Sequence, residues 1–167
     1  MIHHDPRIIG QTLSMELVGR LTEIEKIIAW KEDRMDFGGL RELCYRFRDR
    51  LMINANTYKI MIPLDYQAGI AGHNSFPPNV DPAFALQMHN IASSGDFQRA
   101  QELFVKTIDM YNYVTGQGST WIIEFGKEMA RIAGRPMGSE RLPHKRPGTS
   151  VRAKLREFML QAGMTVK

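Results

Sequence analysis

Short apolar runs alternate along the chain with longer stretches in which apolar residues recur every three or four positions. The runs at 27–30, 51–53 and 70–76 are brief and rich in residues that favour strands, whereas the intervening stretches have helical spacing. Strands that alternate with helices in this way are typical of a parallel sheet. The pattern therefore predicts an α/β fold, with Lys31 at the end of its first apolar strand.

Capping residues mark where the predicted helices begin. The predicted starts are Ser14, Asp36, Asp81 before Pro82, and Asp96. The helix from Asp96 is expected to continue through Tyr111, and two more helices are expected near 119–133 and 150–162. The second half of the chain is thus predicted to be helical, and it follows a first half that contains the strands.

The composition is that of an ordinary globular chain of 167 residues, 43% of them hydrophobic and 24% charged. Basic residues outnumber acidic ones by 22 to 18, and arginines gather late in the chain, among them Arg131, Arg146 and Arg152. Aromatic residues do not interleave with these charges as they do in many nucleic-acid-binding surfaces. A solvated surface and no nucleic-acid partner are therefore expected.

The single cysteine and the lack of long apolar segments bear on the cellular compartment. Cys44 has no partner for an internal disulfide and lies on the apolar side of a predicted helix, where a buried thiol is expected. No segment approaches the roughly 18 consecutive apolar residues of a membrane-spanning helix, and residues 1–10 lack the pattern of a signal peptide. A cytoplasmic protein without a membrane partner is expected.

Four segments resemble, in order, the family of dihydrodipicolinate synthase and N-acetylneuraminate lyase, which are pyruvate-dependent class I aldolases. Residues 28–32 are similar to the family's sixth strand, where an apolar run precedes Lys-Glu, and residues 69–82 resemble its last strand and the following helix. Residues 94–103 resemble the turn after the last barrel helix, and residues 134–163 resemble the family's ending. The order and spacing of these segments carry the resemblance over residues 3–163.

The resemblance implies the C-terminal half of a TIM (β/α)8 barrel followed by C-terminal helices. Residues 1–92 would form barrel units five to eight, and residues 93–167 would form the helical extension. A whole barrel takes about 250 residues, and an arc of four strands leaves open edges. The chain is therefore expected to pair with a partner half-barrel or to form a homo-oligomer. The family's Thr-Thr or Thr-Ser pair, which holds the pyruvate carboxylate, has no match here.

Lys31 is the residue that the resemblance identifies as the Schiff-base lysine. Side chains alternate along a strand, so Ala29 and Lys31 share one face while Trp30 and Glu32 share the other. The small Ala29 leaves room below an inward-facing Lys31, and Glu32 is expected to have a packing or salt-bridge role. Without the resemblance, the simpler interpretation is a lysine that ends a strand and extends into water.

Further candidates follow from the same comparison. The segment His3-His4-Asp5-Pro6 stands where the family has Tyr-Asn-x-Pro, so His3 replaces the relay tyrosine as a general acid or base, or else is a disordered terminal residue. Candidate substrate ligands, or alternatively turn formers, at two strand ends are Asn56, Thr57, Asn74 and Ser75. Adjacent strand residues point to opposite faces, so no metal at His3, His4 and Asp5 is expected. The family chemistry implies no cofactor.

The implied function is that of an aldolase or lyase that makes or breaks a bond between a 2-keto acid such as pyruvate and an aldehyde, through an imine on Lys31. The alternative is a non-catalytic half-barrel remnant or assembly module, which the unmatched threonine pair and the replaced tyrosine favour. The sequence leaves open the aldehyde or sugar acid, the choice among lyase, synthase and dehydratase, the oligomeric state, and whether the chain is a fragment.

Overall fold

The computed structural model describes residues 1–34, 36–55, 62–74, 77–117 and 121–167. The chain forms two compact units, Met1–Ser75 with Ala92–Phe97, and Phe76–Ile91 with Gln98–Lys167. The first unit contains the strands, and the second is helical. Within the described ranges, no helix combines the length and the apolar character that crossing a membrane requires.

The first unit alternates strands with helices, as the sequence pattern predicts. Its strands are β1 (Ile2–His4), β2 (Ala29–Glu32), β3 (Met52–Ala55) and β4 (Gly72–His73). Its helices are α1 (Pro6–Ile9), α2 (Met15–Thr22), α3 (Phe37–Phe47) and α4 (Ile62–Ala68). In the part of the chain that the structure describes, the three strand pairings are parallel, in the order β1-β2-β3-β4. The predicted α/β fold with a parallel sheet is confirmed, although β2 and β3 end later in the chain than expected.

Side chains cap the helices of this unit where the sequence predicted them to begin. Ser14 Oγ accepts a hydrogen bond from the backbone N–H of Leu17 at the start of α2. Asp36 Oδ2 accepts one from the backbone N–H of Gly39 at the start of α3. Beyond the end of α4, Gly69 has a φ of 102°, a left-handed conformation that glycine commonly adopts where a helix ends. Local sequence signals therefore define these helix ends.

The two faces of the sheet differ in burial because side chains alternate along each strand. One side, the packed face, is completely or almost completely buried and includes His4, Trp30, Glu32, Ile53 and Ala55. The other side, the open face, comprises His3, Ala29, Lys31, Met52, Asn54 and Gly72. Met52 on this face is 59% exposed. The sheet therefore has one buried face, which includes the polar His4 and Glu32, and one partly accessible face, which carries Lys31.

Helix α3 contributes Leu40, Leu43 and Cys44 to the core of the first unit. Leu43 and Cys44 follow Leu40 by three and four positions, so the three side chains lie on one side of the helix. Cys44 is free and buried, which confirms the predicted buried thiol. Burial raises its pKa to about 11. The thiol is thus a packing group rather than a nucleophile.

Helices α5 to α10 follow the last strand. They are α5 (Pro77–Val80), α6 (Pro82–Ser93), α7 (Phe97–Val105), α8 (Ile108–Thr115), α9 (Trp121–Ile132) and α10 (Thr149–Ala162). Asp81 caps α6 as predicted, because its Oδ1 accepts from the backbone N–H of Phe84. Its Oδ2 accepts from the backbone N–H of Thr165, which fixes the C-terminal segment. The helical second half of the chain is confirmed.

The prediction of one continuous helix from Asp96 through Tyr111 is wrong. The chain instead forms α7 and α8, with a break between them. At the break, the backbone N–H and the hydroxyl of Thr107 both donate to the carbonyl oxygen of Phe104, at 2.8 and 2.7 Å. These local hydrogen bonds compete with the continuing helical ladder, as threonine side chains often do.

A buried carboxylate organises the second unit. Glu128 on α9 is fully buried, and its oxygens accept from Arg131 Nη1 at 2.8 Å, from Arg146 Nε at 3.0 Å and from Arg152 on α10. Burial acts to raise the pKa of Glu128, but hydrogen bonds from Arg146, Arg131 and Arg152 hold it below its usual range. The side chains of Arg146 and Arg152 are 57% and 41% exposed, as expected of a solvated basic surface, whereas Arg131 is only 14% exposed. The charge pattern did not predict that all three contact a buried anion.

Glu128 is expected to make the second unit sensitive to acid. Because its folded-state pKa lies below the unfolded value of about 4.3, its contribution is complete above that value and is lost as the pH falls through the folded-state pKa. Urea unfolding at a series of pH values should therefore show a weaker acid dependence for Glu128→Gln than for the parent chain. The exposed Glu157, paired with Lys154, provides the matched control Glu157→Gln. An equal acid dependence in parent and Glu128→Gln would contradict this assignment.

Candidate active site

Lys31 lies near the carboxyl end of β2, on the open face of the sheet. In the parallel register it is opposite His3 on β1 and opposite Asn54 on β3. Its side chain is 15% exposed. Active sites of parallel α/β folds lie at the carboxyl ends of the strands. The predicted strand position and facing of Lys31 are confirmed.

Among the described residues, two side chains contact the Lys31 amine. Lys31 Nζ lies 2.8 Å from His3 Nε2 and 2.6 Å from Asp33 Oδ2. His3 Nε2 also contacts the same oxygen of Asp33, so the three atoms form a triangle. Asp33 is 2% exposed, whereas the His3 side chain is 44% exposed. The amine therefore sits between a buried carboxylate and an imidazole that solvent reaches.

The triangle gives Lys31 a counterion and a proton acceptor at once. Asp33 balances the charge of the lysine ammonium. A neutral imidazole nitrogen can accept a proton from the ammonium, and histidine changes charge close to neutral pH. The placement of His3 in an ordered strand argues against the alternative of a disordered terminal residue. The chain thus brings together the two residues that the sequence predicted as catalytic.

A second polar cluster lies directly behind Lys31, on the packed face. Glu32 accepts hydrogen bonds from His4 Nδ1 at 2.9 Å, from Trp30 Nε1 at 3.1 Å, and from the backbone N–H and Nη2 of Arg34 at 2.8 and 3.0 Å. Burial acts to raise the pKa of Glu32, but hydrogen bonds from Arg34 and His4 hold it below its usual range. The predicted salt-bridge role of Glu32, on the same face as Trp30, is confirmed.

The ring of His4 has a defined tautomer. Its Nε2 accepts a hydrogen bond from the backbone N–H of Leu13 at 3.2 Å, so its proton must be on Nδ1, which donates to Glu32. His4 is fully buried and both of its ring nitrogens are occupied. The two neighbouring histidines therefore differ in role, since His4 is a structural residue and His3 is available to chemistry.

Asp33 also supplies a potential third metal ligand that the sequence prediction did not consider. One ligand atom from each of His3, Asp5 and Asp33 lies within 4.8 Å of the others. The two oxygens of Asp5 accept hydrogen bonds from the side chain of Arg7, which lower the pKa of Asp5 to about 2, and Asp33 contacts Lys31. Each carboxylate thus already contacts a cationic side chain, Arg7 for Asp5 and Lys31 for Asp33. The absence of a metal stays a prediction.

The predicted substrate ligands are only partly described. Asn74 follows β4 and is exposed, with its backbone N–H bonded to the carbonyl oxygen of Ala55 at 2.7 Å. Asn56, Thr57 and Ser75 lie outside the described residues, so their roles stay predictions.

Asn54 is a candidate site residue that sequence reasoning missed. It lies between Lys31 and Gly72 in the strand register. A Cβ on Gly72 would come within 3.0 Å of Asn54 Oδ1, so glycine leaves room for this amide. Asp33 was missed for a related reason, since both strands were predicted to end too early. The available signal was spacing, because Asp33 follows Lys31 by two positions and Asn54 follows Met52 by two. Residues two apart on a strand point to the same face.

The fold and site together define a lysine-bearing half of a parallel α/β barrel, and comparisons with known proteins agree with this class. The family model described as "Dihydrodipicolinate synthetase family" matches residues 1–162. The chain therefore belongs to the dihydrodipicolinate synthetase family. It is 24% identical over 164 residues to an "uncharacterized DapA-like lyase" of Rhizobium meliloti, covering 98% of this chain and 54% of that protein.

Solved structures show the same fold. Dihydrodipicolinate synthase from Aquifex aeolicus is similar with a TM-score of 0.80 and 22% identity, over 99% of this chain and 55% of that one. N-acetylneuraminate lyase from Fusobacterium nucleatum, complexed with pyruvate, is similar with a TM-score of 0.80 and 23% identity, over 95% of this chain and 52% of that one. The chain spans about half the length of the curated relatives it matches. The predicted fold, the C-terminal half of a TIM barrel with C-terminal helices, is confirmed.

Proposed function

We propose that this chain carries the reactive lysine of a 2-keto-acid-dependent aldolase or lyase, and that Lys31 forms a Schiff base with pyruvate or a related keto acid. The observation that carries the proposal is the placement of Lys31 Nζ on the open face, 2.8 Å from His3 Nε2. An amine must lose a proton before it attacks a ketone, and an adjacent base is the usual means. The pyruvate bound to the similar N-acetylneuraminate lyase supports the choice of keto acid.

Lys31 and His3 would divide the chemistry between them. The neutral amine of Lys31 attacks the keto carbon, and loss of water gives an imine that draws electrons from the neighbouring carbon. Removal of a proton from that carbon, or cleavage of its bond to the aldehyde portion, then gives an enamine. His3 would act as the general acid and base, in the place of a relay tyrosine. Asn54 is available on the same face to hydrogen-bond an oxygen of the substrate.

Binding of the keto-acid carboxylate is proposed to need a second half-barrel. In the described sheet, β1 pairs only with β2 and β4 pairs only with β3, so both outer strands have a free edge. Parallel barrels bury these edges by closing the sheet. A partner that supplies four strands, on the same polypeptide, a second polypeptide or a second copy of this chain, would cover the open face and complete the site.

Borohydride trapping tests this proposal directly. The chain would be co-purified with the part of the Rhizobium meliloti relative that the alignment leaves uncovered, so that the preparation contains a complete barrel, and then reduced in the presence of pyruvate. Peptide mass spectrometry should locate the adduct on Lys31. Lys26, exposed in the segment before β2, is the internal comparison and should remain unmodified. An intact barrel that yields no adduct on Lys31 would refute the proposal.

The second candidate is a non-catalytic assembly module, which the two free strand edges favour. In this case the chain would associate through its edges and Lys31 would serve only as a partner of Asp33. Solution mass measurement tests the need for association. A chain that stays monomeric and well behaved without a partner would count against this candidate.

A further inference from the structure

We propose that Asp33 is a positioning residue for proton transfer, which acts through His3 to charge and discharge the Lys31 amine during imine formation. The inference rests on the proposed Schiff-base function and adds a residue to it. The two neighbouring carboxylates, Glu32 and Asp33, differ in a way that points to this role. The carboxylate of Glu32 accepts hydrogen bonds from three residues on the packed side of the sheet, namely His4, Trp30 and Arg34.

The carboxylate of Asp33, in contrast, has only Lys31 and His3 as its hydrogen-bonding partners among the described residues. Its Oδ2 contacts Lys31 and His3, and its buried Oδ1 has no hydrogen-bond partner within the part of the chain that the structure describes. Buried carboxylate oxygens are normally hydrogen-bonded, so an unsatisfied one calls for an explanation, and a role in catalysis is one such explanation. Glu32 is the contrasting case, because its carboxylate accepts hydrogen bonds from His4, Trp30 and Arg34.

The backbone holds Asp33 in place. Its N–H donates to the carbonyl oxygen of His4 at 2.9 Å, which continues the ladder between β1 and β2 beyond the last strand residue. Asp33 follows Lys31 by two positions, so its side chain points to the open face like that of Lys31. The nearby carboxylate of Asp5 is already neutralised by Arg7. Within the described ranges, Asp33 is thus the carboxylate that contacts both Lys31 and His3.

The contacts among Lys31, His3 and Asp33 suit both protonation states of His3. When His3 Nε2 is unprotonated it accepts from the Lys31 ammonium, and when Nε2 carries a proton it donates to Asp33. His3 can therefore take the proton from Lys31 while Asp33 stabilises the imidazolium that results. In catalytic triads the carboxylate and the nucleophile contact opposite ring nitrogens, whereas Asp33 and Lys31 both contact Nε2 of His3, so Asp33 balances the charge at the nitrogen that receives the proton.

The protons balance over the whole step. Lys31 gives one ammonium proton to His3, and the free amine attacks the keto carbon, forming the C–N bond as the carbonyl electron pair moves to oxygen. A second proton moves from nitrogen to that oxygen, giving the carbinolamine. His3 returns its proton to the hydroxyl group, which leaves as water while the C=N bond forms. The products are an iminium ion on Lys31 and one water, with His3 and Asp33 regenerated.

The test is the rate of imine formation in Asp33→Asn. The preparation with the complete barrel is mixed with pyruvate, and borohydride is added after increasing delays to trap the imine. The variant should form the imine about 100-fold more slowly, in the range typical of general acid–base catalysis, while reaching a similar final yield at saturating pyruvate. Asp36→Asn is the matched control, since Asp36 is exposed and asparagine retains its capping role.

A double-mutant cycle with His3→Gln separates positioning from a structural role. If Asp33 acts through His3, the Asp33→Asn change should have little further effect on the rate in the His3→Gln background. Equal slowing in both backgrounds would overturn the inference. So would an unchanged or faster rate in Asp33→Asn, because Asp33 would then only hold Lys31 as an ammonium. A parent barrel that forms no adduct would instead refute the proposed function, and this inference with it.

Discussion

A Lys31→Met variant is expected to lose enamine chemistry by a factor of about 10,000 or more, because the nucleophile itself is removed. The measurable reaction is exchange of the methyl hydrogens of pyruvate for deuterium in heavy water, followed by NMR, which needs no knowledge of the aldehyde substrate. Methionine fills a similar volume without an amine, so the site should keep its packing. The complete-barrel preparation is the one to use, as for the borohydride experiment.

The comparison variant is Lys26→Met, which removes an exposed lysine from the segment just before β2. Its exchange rate should match that of the parent. If Lys31→Met retained exchange at a rate close to the parent's, the imine would have to form elsewhere, and the assignment of Lys31 would be wrong. If neither parent nor variant exchanged pyruvate, the assembly-module alternative would gain support.

Replacing Glu32 with alanine is expected to cost about 3–5 kcal/mol in free energy of unfolding, because it removes one partner of a buried ion pair. The change would leave the ring N–H groups of His4 and Trp30 and the guanidinium of Arg34 without their acceptor. This is a large share of the roughly 5–15 kcal/mol by which a typical domain is stable, so the urea midpoint of the variant should fall markedly. Urea unfolding followed by tryptophan fluorescence gives the measurement.

The exposed ion pair of Glu42 and Arg46 on α3 offers a control. Glu42→Ala should cost no more than about 1 kcal/mol, since exposed pairs contribute little. A Glu32→Ala variant as stable as Glu42→Ala would show that the packed-face cluster does not stabilise the sheet. The contrast also separates folding from chemistry, because Glu32 does not contact the Lys31 amine in the described hydrogen bonds.

Sequence periodicity predicted most of the fold because the relevant signals are local. Capping by Ser14, Asp36 and Asp81 defined helix starts, and short apolar runs located β2 and β3. The prediction erred where an apolar pattern continued past a break in the backbone, as at Thr107. It also erred at strand ends, because Asn54 and Glu32 are polar and a polar residue normally indicates that a strand has finished.

The candidate site was predictable only in part, because it depends on pairing between distant segments. Alternation along β2 was enough to place Lys31 and Ala29 on one face and Glu32 on the other. No local signal, however, shows that His3 lies opposite Lys31, 28 residues away, since this depends on strand register. The prediction that His3 and Lys31 belong to one site came from the resemblance to a known family. The convergence of Arg131, Arg146 and Arg152 on Glu128 had no signal in the charge pattern either.

His3 and His4 are adjacent but lie on opposite faces of the sheet. NMR spectroscopy should therefore distinguish their imidazole rings. His4 keeps its proton on Nδ1 between Glu32 and the backbone of Leu13, so its nitrogen-15 resonances should report a single fixed tautomer with a slowly exchanging proton. His3 faces Lys31, so the nitrogen-15 resonances of His3 should shift when a keto acid forms an imine with Lys31. One labelled sample would thus contain both the reporter of ligand binding and its internal reference.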